Sequence, residues 1–167
     1  VGWLFSNEKI VENSGRGPTE DGRIKPELVA KGYQVGTLSP NSSFQTVFGS
    51  SFSAPQVSGL AALLYQKFYQ QFSTTPNASL IKAILLNTAR DLGNAGPDYT
   101  YGFRKPDAYR AVKSVANNLF FEDNVNQNSV STHSISVPSN ISQLKITLSW
   151  TDKEGSPIAS KSLVNNL

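Results

Sequence analysis

The chain has 167 residues, 38% of them hydrophobic and 16% charged, with 12 Gly and 9 Pro, the balance of an ordinary globular protein rather than a disordered or collagen-like one. Fifteen Lys and Arg against twelve Asp and Glu leave a net charge of +3, scattered rather than gathered into the basic stripe that nucleic acid requires, so no nucleic-acid partner is expected. Cysteine is absent, which excludes disulfides, thiolate metal sites and a cysteine nucleophile, and the longest apolar run, 60–65, is far too short for a membrane span.

Residues 1–11 predict two short strands about a turn at Ser6-Asn7. Residues 13–26, NSGRGPTEDGRIKP, hold the Gly and Pro of a loop. A brief apolar run at 27–30 is closed by Gly32, and 35–47 reads as extended chain broken at Pro40-Asn41. Val57, Leu60, Ala61, Leu64 and Phe68 then recur at helical spacing, which predicts an amphipathic helix over 53–71. A second helix is expected after Pro76-Asn77, capped by Asn77, with Leu80, Ile81, Ile84 and Leu85 on its buried side and Gly93 and Gly96 ending it. A third, over 106–116, opens with Pro106 in its first turn and buries Ala108, Ala111, Val112 and Val115. Beyond Asn117-Asn118 the period changes: 134–137 and 144–150 alternate polar and apolar residues, as half-buried strands do. A domain boundary is therefore placed near residue 118, with too few residues after it for a whole β-sandwich.

The stretch GSSFSAP, 49–55, stands at the start of the long helix. A nucleophilic serine needs an exposed rigid turn, a base to take its proton and donors for the developing oxyanion. Gly49 allows a close backbone approach. Ser51 would sit where unpaired N–H groups and the positive end of the helix dipole favour negative charge, and its own N–H can donate to an oxyanion. Pro55 is expected in the first turn, where its missing N–H breaks no helical bond. On local pattern alone, helix capping by Ser50, Ser51 and Ser53 is the better explanation of the stretch.

Resemblance separates the two. GSSFSAP followed by QVSGLAALL resembles the nucleophile segment of the subtilisin-like serine peptidases, with Ser50 in the place of the family's Thr. Ser14-Gly15-Arg16-Gly17-Pro18 is similar to its Ser-Ser-Arg-Gly-Pro. The run from Lys25 through Pro26, Glu27, Leu28, Val29, Ala30 and Lys31 to Gly32 is similar to its Lys-Pro-Asp-Val-Val-Ala-Pro-Gly. KAILLNTA, 82–89, resembles the following helix. Tyr101-Gly102-Phe103 with Asp107-Ala108 and Ala111-Val112 resembles the closing helix, with Arg104 at a position that is often Gly. Residues 148–152 and 160–167 resemble the start of the jelly-roll β-sandwich that follows the peptidase domain in some bacterial members. The implied fold class is α/β: a partial subtilisin-like parallel sheet with helices on both faces over 1–118, then a truncated all-β jelly-roll-like segment over 119–167.

The implied function is a serine endopeptidase that hydrolyses peptide bonds through an acyl-enzyme on Ser51. Gly49, Ser50 and Ser51 form the oxyanion and substrate-binding turn, and Ser50 is an auxiliary donor. A subtilisin-like triad runs Asp, His, Ser along the chain, yet only Asp21 and no histidine precede Ser51. The catalytic Asp, the His and the oxyanion Asn are therefore expected on polypeptide outside these 167 residues, and the chain alone is expected to be inactive. The partners implied are a protein or peptide substrate and the remainder of the parent polypeptide. The resemblance also implies export, to the cell surface, the periplasm or the medium. It implies no cofactor beyond calcium, for which no site is identified. Asp152 and Glu154 fall short of the six to eight oxygens that calcium takes. Arg16 could meet substrate or, more plainly, hydrogen-bond loop carbonyls.

Two other functions are open. The single histidine, His133, with Ser51 and one of Asp91, Asp98, Asp107 or Asp123, follows the chain order of an α/β-hydrolase esterase, although 49–53 lacks the second Gly of that elbow. The non-enzymatic alternative is an inactive relative that keeps the fold as a binding or structural module.

Overall fold

The computed structural model describes every residue except Asn94, Pro157 and Asn166. Strand β1 (Gly2–Leu4) lies parallel to β2 (Val29–Lys31), with Gly2 opposite Val29 and Leu4 opposite Lys31. Strands β3 (Val35–Leu38) and β4 (Phe44–Val47) form an antiparallel hairpin across the expected turn at Pro40-Asn41. Three helices follow among the described residues: α1 (Ser50–Phe72), α2 (Ala78–Asn87) and α3 (Ala108–Ala116). The mixed α/β character and the small parallel sheet agree with the sequence reading.

Helix α1 is the spine. Leu60, Leu64 and Phe68 are buried along one stripe, one helical turn apart, against Leu80, Ile81, Ile84 and Leu85 of α2 and Ala111 and Val115 of α3. Near its start, α1 packs on β1 and β2. Its opposite side leaves Leu63 and Tyr69 more than half exposed.

Four details depart from expectation. Helix α1 begins at Ser50 rather than 53, so Pro55 lies in the second turn and has no N–H to give to the Ser51 carbonyl four residues back. Asn77 does occupy the N-cap position of α2, but its side chain makes no cap; it donates to Glu122 Oε1 at 2.7 Å. Helix α2 ends at Asn87, where Thr88 Oγ1 donates to the Ile84 carbonyl at 2.7 Å, well before either glycine. Helix α3 starts two residues late because Asp107, not Pro106, sets its beginning: the Asp107 carboxylate accepts from the Arg110 N–H at 2.9 Å, and Ala108 is left exposed.

After residue 118 no helix or strand is formed among the described residues. The alternating stretches at 134–137 and 144–150 have no ladder partner, and a strand without one leaves its N–H and C=O groups to water. Their apolar residues, among them Ile135, Ile146 and Leu148, are exposed. The segment docks through scattered contacts instead. Phe120 packs on Phe68 and Phe72, with ring centroids 5.7 and 5.9 Å away. Lys145 Nζ donates to the Leu86 carbonyl at 3.1 Å, and Asn87 Nδ2 donates to the Lys145 carbonyl at 3.0 Å. No helix is long and apolar enough to cross a membrane among the described residues.

Candidate active site

The two parallel strands point their carboxyl ends the same way, and in open α/β sheets that edge is where ligands bind. Helix α1 starts there. Its N-cap, Gly49, has φ 131°, in the left-handed half of backbone space that favours glycine, and its N–H donates to the Gly32 carbonyl at 2.8 Å. Gly32, just past β2, is buried and tightly enclosed: a Cβ there would lie 2.5 Å from Ser53 Oγ and Trp3 Cβ, and 2.6 Å from the Gly49 carbonyl. Ser53 is fully buried, and its hydroxyl donates to the Ala30 carbonyl of β2 at 3.0 Å. One strand end and one helix start are thus clasped by two hydrogen bonds across a gap that only a glycine fits. Sequence reading took Ser53 as one of three capping serines and missed this anchoring; the signal was its place four residues after a glycine, on the same buried stripe as Leu60 and Leu64.

Upon this clasp Gly49, Ser50 and Ser51 stand together. Ser50 and Ser51 are the first two helical residues, and both are exposed. The Ser51 hydroxyl makes no hydrogen bond among the described residues. The first turn carries no acidic side chain, so its positive end is not neutralised from within. Such an arrangement suits a hydroxyl that develops or receives negative charge.

The other candidate residues lie elsewhere. His133 stacks on Phe121 at 4.5 Å, with Nε2 3.8 Å from Asp123 Oδ2 and 3.4 Å from Ser131 Oγ, all within one exposed segment of the tail. Asp123 is held below the usual carboxylate range, first by the Ser131 hydroxyl. Asp91 and Asp98 both pair with the buried guanidinium of Arg104, and Asp107 caps α3. Each of the four aspartates that could complete an esterase triad is thus engaged away from Ser51. Arg16 is exposed, and its guanidinium takes up no loop carbonyl among the described residues. Asp152 accepts N–H groups from Lys153, Val164 and Asn165 at 2.7–3.2 Å, closing the 152–165 loop, and these bonds, led by Val164, lower its pKa. Among the described residues no three His, Cys, Asp or Glu side chains are grouped as metal ligands.

Arg104 explains one departure from the resemblance. Its backbone has φ 93°, a value glycine adopts freely and arginine rarely does. The side chain, only 2% exposed, donates to Asp91, to Asp98 at 2.7 Å and to the Gly96 carbonyl. Its own carbonyl accepts from the Val29 N–H of β2 at 3.1 Å. The 90–104 loop is thereby tied to the strand that carries the Ser51 clasp.

Comparison with known proteins gives the same direction. The model of the Subtilase family matches residues 1–103. The serine protease/ABC transporter B family protein tagA of Dictyostelium discoideum is 28% identical over 205 aligned positions, covering 92% of this chain and 11% of that protein. C5a peptidase of Streptococcus pyogenes is 29% identical, covering 74% of this chain and 11% of its own length. Among solved structures, the CspB protease of Clostridium perfringens superposes with a TM-score of 0.61 at 30% identity, over 66% of this chain and 25% of that one. The chain thus spans about a tenth of these curated relatives and a quarter of the CspB chain.

Proposed function

Since the chain belongs to the subtilase family, we propose that it is the serine-bearing portion of a serine endopeptidase catalytic domain, with Ser51 as the nucleophile. Ser51 Oγ attacks the scissile carbonyl and forms the C–O bond of a tetrahedral intermediate. Its proton passes to an imidazole and then to the leaving amine as the C–N bond breaks, leaving an acyl-enzyme that water hydrolyses. The Ser51 N–H donates to the oxyanion, the Ser50 hydroxyl is an auxiliary donor, and Gly49 lets the scissile carbonyl approach the turn.

The imidazole, its aspartate and an oxyanion asparagine come from another stretch of the parent polypeptide, so these 167 residues alone are inactive. General-base assistance is worth roughly 10²–10⁴-fold, and His133, tied to Phe121 and Asp123, is not placed to give it. Substrates are proteins or peptides, and the parent acts outside the cytoplasm, at the cell surface, in the periplasm or in the medium.

The observation carrying this reading is the exposed Ser51 hydroxyl on the unneutralised start of a helix whose next residues are clasped to β2. The test is a fluorophosphonate probe offered to the isolated chain and to the full-length parent. Labelling at Ser51 is expected in the parent alone and is abolished by Ser51→Ala. Fast labelling of the isolated chain would remove the need for an imported imidazole. A folded parent that takes up no probe would be the inactive relative.

A further inference from the structure

The carboxyl edge of the sheet carries more than Ser51. Phe48, immediately before Gly49, is half exposed and meets Tyr33 edge to face with ring centroids 5.0 Å apart. Tyr33 in turn packs on Phe5 at 4.7 Å. Phe5 and Tyr33 follow β1 and β2, while Phe48 follows β4 of the separate hairpin and directly precedes α1, so the three rings in contact form a wall beside the start of α1. Beyond Tyr33 the wall borders an open depression of about 390 Å³, lined by Phe5, Ser6, Asn7, Lys9, Tyr33 and Gln34. Lys9 is exposed and forms no ion pair among the described residues. The Tyr33 N–H donates to the Leu4 carbonyl at 3.1 Å, and the adjoining Gly32 is locked to Gly49, so the wall is fixed to the same framework as the nucleophile.

Aromatic surface left partly exposed on a rigid edge suits a partner with an apolar body. We propose that the Phe48–Tyr33–Phe5 wall and its depression form a substrate subsite that takes a large aliphatic or aromatic side chain of the peptide bound across Ser51. Lys9 adds a preference for a carboxylate beside that side chain. The proposal rests on Ser51 as the nucleophile, and it names which substrates the same site selects. The geometry supports the coupling: Phe48 is three residues from Ser51, so their Cα atoms are at most about 11 Å apart. A peptide reaching the hydroxyl therefore passes Phe48, the near end of the wall, within a few residues.

The experiment uses the full-length parent and a peptide library varied at each position around the cleaved bond, with wild type, Phe48→Ala, Tyr33→Ala and Lys9→Glu compared. In wild type one position prefers large apolar residues over Gly. In Phe48→Ala and Tyr33→Ala that selectivity, measured as the ratio of kcat/KM values, falls by roughly 10–100-fold, the range by which a hydrophobic pocket discriminates. Lys9→Glu reverses the preference for an acidic neighbour. Labelling of Ser51 by a small fluorophosphonate, too short to reach the wall, reports separately on the nucleophile. If Ser51 labels normally in the ring variants and the profile is unchanged at every position, the subsite is refuted while the peptidase reading stands. If wild type itself is not labelled, the peptidase reading fails. Loss of labelling in both ring variants would make the rings supports of the nucleophile and would overturn the subsite.

Discussion

Replacing Gly32 by alanine tests whether the contact between strand and helix positions Ser51, the proposed nucleophile. The added methyl would sit 2.5 Å from Trp3 Cβ and Ser53 Oγ and 2.6 Å from the Gly49 carbonyl, whereas non-bonded carbon atoms rest at about 3.5–4.0 Å. Roughly an ångström must be found. Two of the three obstacles, a Cβ on β1 and the backbone of the N-cap, cannot rotate away, so the start of α1 has to move off β2. Overpacking of this kind costs about 1–3 kcal/mol, and a misplacement of about 1 Å in a reacting group can cost 10²-fold in rate. In the full-length parent we therefore expect a melting temperature lowered by several degrees and fluorophosphonate labelling of Ser51 slowed by about two orders of magnitude. Adding Ser53→Ala removes the hydroxyl obstacle alone, so it relieves only part of the clash and forfeits the 3.0 Å bond to Ala30; rescue should be partial at most. If Gly32→Ala leaves both melting and labelling unchanged, this clasp does not hold Ser51 in place, and the account of the site built on it is wrong.

Arg104 and His133 supply the other predictions. Arg104→Ala strands two carboxylates and keeps the unfavourable φ 93°, whereas Arg104→Gly strands the same carboxylates and relieves the backbone. At neutral pH the order of stability should be wild type, then Gly, then Ala, with Gly and Ala about 1 kcal/mol apart. Asp91 is held below its ordinary pKa first by the hydrogen bond from Arg104; for Asp98 burial pushes upward, and the Tyr101 N–H and Arg104 overcome it. Depressed folded-state values make the contribution complete above the unfolded pKa of about 3.9. It is lost as pH falls through the folded values, so the deficit of both variants should shrink only in acid. Thermal melts from pH 7 down to 2 check this, and a deficit that persists undiminished in acid would show that the ion pairs are not its source. His133→Ala should leave turnover by the parent unchanged in a peptide-cleavage assay; abolished turnover would restore the esterase-type constellation.

What could be read from the chain alone follows where the physics is local. The stripe Leu60, Leu64, Phe68 is a single-helix property, and α1 lies where that spacing puts it, give or take its first turn. The helix starts are less legible because each is settled by a particular polar partner. Asn77 was the natural cap for α2, but Glu122, distant in sequence, takes its amide; Asp107 holds α3 through a bond that Pro106 could not make. The alternation at 134–137 and 144–150 misleads for a different reason. It specifies which side chains would face a core, but a strand also needs a neighbour for its backbone, and no local pattern supplies one. Around Ser51 the glycine, the hydroxyls and the helix were visible, while the Ser53–Ala30 bond and the narrow space at Gly32 were not, since both join segments about twenty residues apart.

These contacts divide α1 between two tasks. Its first turns are held by short-range features that tolerate little change: a hydrogen bond from Ser53, a gap at Gly32, a backbone bond from Gly49. Its last turns are held by broad apolar packing of Phe68 and Phe72 against Phe120 and α3, where a lost methylene is absorbed by neighbours at modest cost. Substitutions near Phe68 should therefore act on how much folded protein there is, and those near Gly32 on how well the folded protein places its hydroxyl. The proposed acyl transfer at Ser51 needs that separation, because oxyanion donors must stay fixed to within a fraction of an ångström while the body of the domain relaxes around them.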